Sequence, residues 1–407
     1  MNKLFQSYKS SFQGLSSESW MLSLVMLLNR VGGMVIPFLT VYLITELNFE
    51  TDEAGIVMSC FGIGGLLGSI VGGWLTDKIG SFYIQFLSLL LASPIFIVLS
   101  TLETVLEMSL FVLLLSFINE CFRPANSASI ALYAKKENLT RSFSLNRLAV
   151  NLGFSFGPAL GGFLAAISYA WLFYGNSIAS LIAAFVFFWY FFKREKRNKK
   201  RVIEPEELTG LENTSSPYQD KWFIVFSVFC FLYACVFFQL FTIMPMFYED
   251  SLGFNNVTIG LLLAFNGFFV FATEMPMVQF ADRKFNVYIN IVLGAVLLFI
   301  AFAWLLVDDS LFSCFMSMMF LSLSELLVLP FIATVAAKRS TEKNRGSYMG
   351  LQGLSISMAF VVMPILATRL VQEYSFSYLW WANIIVLIIV IFGFYGVKNK
   401  MPVSIKS

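Results

Sequence analysis

Histidine is absent from this 407-residue chain, and charged residues make up only 13% of it. The first absence removes the usual base that activates a serine or cysteine nucleophile. It also leaves carboxylates as the groups able to carry protons near neutral pH. The second excludes an ordinary soluble domain, in which about 25% of residues are charged. The five cysteines, Cys60, Cys121, Cys230, Cys235 and Cys314, all fall within apolar runs. That position argues against a disulfide framework and for small apolar fillers. Metal-ligand spacings and phosphate-binding glycine loops are also missing, so no metal or cofactor is expected and the chain does not read as an enzyme.

What is present is apolar: 58% of the residues are hydrophobic, with 46 Phe, 15 Tyr and 8 Trp among them. Twelve apolar runs lie at about 18–45, 54–76, 81–100, 104–131, 142–166, 169–192, 222–247, 255–280, 286–307, 311–337, 346–370 and 376–397. Each is long enough to cross a bilayer as a helix, and none alternates like a barrel strand. The chain therefore reads as an all-α integral membrane protein. Its even-numbered connections and both ends hold all but three of the 27 basic residues, the exceptions being Arg30, Arg123 and Arg369. The odd-numbered connections carry Glu46, Asp52, Glu103, Asp250 and Asp308. The bias of Lys and Arg toward the inner side places both termini in the cytoplasm, with no cleavable signal visible in the polar start from Met1 to Glu18.

One long hydrophilic connection, Lys193 to Asp220, opens with a basic block ending at Arg201 and continues with an acidic stretch to Ser216. The block reads as a topology determinant touching anionic lipid rather than as a nucleic-acid site. It divides the chain into six spans within 1–192, a linker at 193–221, and six spans within 222–407. The halves resemble each other. Gly55, Asp77 and Glu120 recur 205 residues later as Gly260, Asp282 and Glu325, and Arg141 recurs as Arg345 at one residue less. Two similar halves are how many secondary transporters are built, with a site near the bilayer midplane.

Three motifs sharpen this reading. Gly153, Gly157 and Gly161 stand four apart in the fifth span, with Pro158 and Gly162 beside them, forming a bare helical stripe that a second backbone can approach. At the end of the second span, Gly73-Trp-Leu-Thr-Asp77-Lys78-Ile-Gly80 places an acid where it can accept from a neighbouring helix N-terminus, or stand as a solvated loop charge. In the fourth span, Asn119-Glu120-Cys-Phe-Arg123-Pro-Ala-Asn126-Ser127 sets opposite charges three residues apart on one face. Such charges are costly in hydrocarbon and should face a bundle interior. They fit either a proton-coupling pair or a static ion pair that fixes packing.

The pattern GxxxGPxxGG in a fifth span resembles the antiporter motif of the major facilitator superfamily, in its drug:proton antiporter branch. The Gly73–Gly80 segment is similar to that superfamily's loop motif, although Ser81 and Phe82 replace its two trailing basic residues. The Arg123 frame resembles the branch's span-four motif, with Asn126 and Ser127 in place of its glutamine and glycine. A degenerate copy of the loop motif in the second half keeps Asp282 and Arg283. The resemblance implies twelve helices in two pseudo-symmetric six-helix bundles, a span-five hinge, a loop latch at Asp77 and a proton-coupling role for Arg123. It also implies that spans one and four are neighbours, which makes Glu120 a partner for Arg30, the lone arginine deep in span one after Asn29.

In the second half Glu325 and Glu274 have no basic residue within a helical turn, which makes both candidates for proton exchange. Asn29, Asn119, Asn126, Gln239, Asn266 and Gln352 are polar candidates for a substrate cavity, while most of the aromatics are expected against lipid or neighbouring helices. The expected function is proton-coupled export of small amphiphilic or lipophilic compounds by alternating access. Uptake of a small nutrient such as a peptide, or lipid flipping, are the alternatives on the same fold. The expected partners are a small-molecule substrate, protons and the bilayer, with no nucleic acid, and the protein is expected to be a monomer.

Overall fold

A computed structural model describes residues 10–201, 216–308 and 310–401, apart from the side chains of 51, 52, 154, 158, 159, 196–201, 256 and 257. The stretch from 202 to 215 of the connection expected to be the linker thus lies outside the described residues. Every regular element among the described residues is helical. Without water to satisfy exposed amides, a spanning segment must pair its backbone internally, and a helix does so.

The first half runs through α1 (Ser17–Val31), α2 (Val35–Thr45), α3 (Thr51–Ile79), α4 (Ser81–Leu99), α5 (Val105–Tyr133), α6 (Leu139–Ile167) and α7 (Ala170–Arg201). The second runs through α8 (Lys221–Phe237), α9 (Ile243–Asp250), α10 (Asn256–Lys284), α11 (Val287–Leu305), α12 (Leu311–Arg339), α13 (Arg345–Glu373) and α14 (Phe376–Lys400). Among the described residues, twelve segments are long and apolar enough to cross a membrane, with ends within about six residues of those expected from hydropathy. Pro94, Pro124, Pro276, Pro330 and Pro364 all stand inside continuous helices. Large apolar side chains such as Phe185, Trp189 and Phe392 are about 70% exposed, as a lipid-facing surface requires.

Contacts group the described residues into two units. One, here the N-unit, takes those of Leu15–Ser216 together with Ser340–Gly353. The C-unit takes those of Met1–Gly14, Pro217–Arg339 and Leu354–Ser407. The grouping departs from chain order at both exchanged segments. The segment 340–353 joins the N-unit because the first turns of α13 lie against the end of α3, as described below.

The first helix of each half is interrupted, where hydropathy suggests one continuous span. In the N-unit the break falls at 32–34, between α1 and α2. Asn176 of α7 braces it: its buried Oδ1 accepts from the Met34 N–H at 2.7 Å, shared with the Gly32 carbonyl, and from the Val35 N–H at 3.3 Å. One turn on, Ala179 fills the space that a Cβ on Gly32 would need, 2.6 Å away. In the C-unit a 3₁₀ turn, Phe238–Phe241, separates α8 from α9. There Gln239 exchanges two hydrogen bonds of 2.8 and 2.9 Å with Asn383 of α14, both amides being almost fully buried. Asn176 and Asn383 are 207 residues apart, so the two halves brace equivalent breaks from their last helices.

Candidate functional site

The N-unit brings Arg30, Glu120 and Arg123 together. Arg123 Nη1 lies 2.8 Å from Glu120 Oε2, and both side chains are only partly accessible. The Arg30 guanidinium, in the last turn of α1, lies in the field of both charges, which makes spans one and four neighbours here. Two glycines on α3 make room for the carboxylate: a Cβ on Gly65 would stand 3.5 Å from Glu120 Cγ, and one on Gly68 would stand 3.0 Å from Glu120 Cβ. Asn29 and Asn119 flank the cluster and are half-buried. Asn126 is fully buried and donates to Asn146 Oδ1 of α6 at 3.1 Å.

The glycine stripe of α6 crosses α1 at this point. A Cβ on Gly153 would sit 2.3 Å from Arg30 Cβ, and one on Gly157 would sit 3.0 Å from the Arg30 carbonyl oxygen. On Gly161 it would meet Phe38 Cε2 at 2.9 Å, whereas on Gly162 it would meet only Phe38 Cζ at 3.6 Å. Three of the four motif glycines therefore pack on the segment from Arg30 to Phe38, which contains the break. The side chain of Pro158 lies outside the described residues.

The loop motif makes a second contact within the N-unit. Asp77, near the end of α3, accepts from the backbone N–H groups of Gly346 (2.5 Å to Oδ1) and Ser347 (2.7 Å to Oδ2). These are first-turn amides of α13, which lack intrahelical acceptors and carry the positive end of the helix dipole. Arg345 adds its charge beside the carboxylate. Backbones come close because the crossing residues are small: a Cβ on Gly73 would be 2.7 Å from the Gly346 carbonyl oxygen and 3.2 Å from Gly350 Cα. Ser69 Oγ donates to the Gly350 carbonyl at 3.1 Å. Gly80 ends the motif at φ +104°, a backbone region that side chains rarely enter, and it turns the chain from α3 straight into α4. Lys78 is exposed with its ammonium 4.8 Å from the Trp74 ring centroid. Gln352, farther along the same start of α13, is half-buried.

In the C-unit, Glu325 on α12 is 8% exposed and Glu274 on α10 is fully buried. Asn266 donates to Ser322 Oγ at 2.8 Å, one turn from Glu325, and Ser324 shares a 2.8 Å hydrogen bond with the Tyr233 hydroxyl. Gln239 has both ends of its amide engaged by Asn383. Asp282 is half-buried at the end of α10, while Arg283 is exposed. The sequence reading did not single out Asn146, Asn176, Asn383, Gly346 or Gly350. Only the last two carried a local signal, as a further GxxxG pair.

A family model described as Major Facilitator Superfamily matches residues 22–338 and 231–406, which covers nearly the whole chain. The chain belongs to the Major Facilitator Superfamily. Among its relatives in that superfamily is the "Uncharacterized MFS-type transporter YqjV" of Bacillus subtilis (strain 168), 24% identical over 348 residues, 83% of this chain and 82% of the relative. Another is the "Multi-drug resistance efflux pump PmrA homolog" of Lactococcus lactis, 28% identical over 171 residues, 41% of this chain and 42% of the relative. The crystal structure of the human organic anion transporter MFSD10 (TETRAN) superposes with a TM-score of 0.72 at 15% identity, covering 93% of this chain and all of that one. This likeness establishes the superfamily fold, a twelve-helix transporter fold, for a multi-pass membrane protein.

Proposed function

We propose that this superfamily member exports small amphiphilic or lipophilic compounds from the cell, driven by protons and working by alternating access. It sits as a monomer in the cell membrane with both termini in the cytoplasm. The observation that carries the reading is the seating of Gly153, Gly157 and Gly161 on the interrupted first helix, directly over Arg30. The drug-efflux relative and the basic bias of the even-numbered connections support the direction and the orientation.

In this reading Glu120, charged, is held between Arg30 and Arg123. A proton arriving there frees Arg30, and α1 moves at its break along the glycine stripe of α6. Glu325 and Glu274 supply further carboxyls that exchange protons when water reaches them, and Asn29, Asn119, Asn266 and Gln352 offer polar contacts to the substrate. The Asp77 contact with α13 acts as a latch on the cytoplasmic side that must open once per cycle. Asp282 and Arg283 form its weaker counterpart in the second half.

A growth-inhibition screen tests this. The chain is expressed in a host stripped of its own efflux pumps and challenged with chemically diverse amphiphiles. Export predicts raised tolerance to some compounds and its loss in Glu325→Gln at equal membrane levels. Arg30→Ala should be partly rescued by Glu120→Gln, because removing the carboxylate removes the charge that Arg30 balances. No shift in tolerance for any compound would remove the export reading.

A further inference from the structure

We infer that the C-unit carries a site for an anionic phospholipid at the shared end of α10 and α11. An apolar cleft of about 220 Å³ opens there, lined by Met277, Phe280, Leu293, Val296, Leu297 and Leu327 from three successive spans. A second recess of about 380 Å³ adjoins it, lined by Ser10, Pro276, Gln279, Phe280, Arg283 and Lys284. Phe280 belongs to both, so the two spaces meet across one ring, apolar on one side and polar and basic on the other.

The occupant follows from this division. Phe280 and Leu293 are 54% and 37% exposed on helices that cross the bilayer, so the cleft is open to an acyl chain running beside the protein. The recess lies at the last turn of α10, where the span ends and a headgroup would stand. Arg283 and Lys284 are exposed there, while the acid of the same turn, Asp282, is half-buried. The Lys284 ammonium is 5.2 Å from the centroid of Phe280 and 5.4 Å from that of Phe285, on the rim between the two spaces. Ser10 and Gln279 close the wall of the recess through hydrogen bonds of 3.5 and 3.4 Å. An exposed cation pair at a bilayer boundary selects an anionic headgroup, and an adjoining apolar cleft selects one that carries a tail. Asn290 fixes the cleft by donating to the Ala281 carbonyl at 3.1 Å, tying α11 to the end of α10.

The site does not depend on the direction of transport or on proton coupling. Native mass spectrometry of the purified full chain tests it, with phosphatidylglycerol and phosphatidylcholine of identical acyl chains. The unmodified protein should retain phosphatidylglycerol roughly tenfold or more in preference, the size expected for two cations near a headgroup. The double variant Arg283→Gln, Lys284→Gln should lose that preference, and Leu293→Trp, which fills the cleft, should lower retention of both lipids. Glycerol phosphate without acyl chains should not compete. Monodisperse elution on size exclusion confirms that each variant is folded. Equal retention of the two lipids by the unmodified protein, preference surviving in the double variant, Leu293→Trp leaving retention unchanged, or competition by glycerol phosphate would each overturn the site.

Discussion

Replacing Asp77 with asparagine should release the first turn of α13 from α3. The carboxylate accepts from the Gly346 and Ser347 amides at 2.5 and 2.7 Å, and from the Ser347 side chain as well. Those amides have no acceptor within their own helix, so their protection depends on Asp77. An asparagine keeps one acceptor oxygen and points an NH₂ group at the other amide. One hydrogen bond to a charged acceptor is lost, at about 1.5–3 kcal/mol, and the dipole interaction of about 0.3–1 kcal/mol goes with it. A combined cost of about 2–4 kcal/mol is roughly a 30- to 700-fold rise in the opening equilibrium. Amide hydrogen exchange reads this directly in a peptide spanning 343–350. Asp77→Asn should accelerate exchange at Gly346 and Ser347 by about that factor, while Lys78→Ala, which removes an exposed cation resting on Trp74, should leave it unchanged. Unchanged exchange in Asp77→Asn, or an equal effect from Lys78→Ala, would refute the latch.

Three further substitutions probe the helix breaks and the glycine crossing. Asn176→Ala strips the acceptor from the Val35 N–H and leaves the Met34 N–H only the Gly32 carbonyl, and should cost about 1–3 kcal/mol, seen as a lower Tm; an unchanged Tm would contradict the brace. Asn383→Leu strands the buried amide of Gln239, so the double variant with Gln239→Leu should recover part of the loss in a double-mutant cycle; strict additivity would contradict the pairing. Gly153→Ala places a methyl 2.3 Å from Arg30 Cβ and should destabilise by about 1–3 kcal/mol, while Gly162→Ala, with 3.6 Å of room, should be nearly neutral.

Much of the architecture was legible because twelve runs of span length leave one solution, a helical bundle in lipid. The interruptions were not. The turn from Phe238 to Phe241 contains neither glycine nor proline, and Pro124 and Pro330 sit in helices that continue through them. In lipid, neighbouring helices satisfy the freed backbone groups, so a break is decided by a partner such as Asn176, 142 residues away from the amide it caps. Among the site residues, Glu120 and Arg123 could be paired from their spacing, and Asp77 could be assigned a helix N-terminus without knowing which. The identity of that helix was written in Gly346 and Gly350, whose meaning appears only when Gly73 lies against them. The 205-residue repeat pairs Glu120 with Glu325 and Asp77 with Asp282 in sequence. Its glycines, Gly55 and Gly260, mark no close packing, since a Cβ on either would meet nothing within 4 Å.

The most direct test of proton-driven export is made in everted membrane vesicles holding an acidic interior, with a pH-sensitive dye reporting the gradient. Adding a compound to which the chain confers tolerance should release protons from vesicles containing the unmodified protein and from none carrying Glu325→Gln. Accumulation of that compound without any proton release from the unmodified protein would contradict the account.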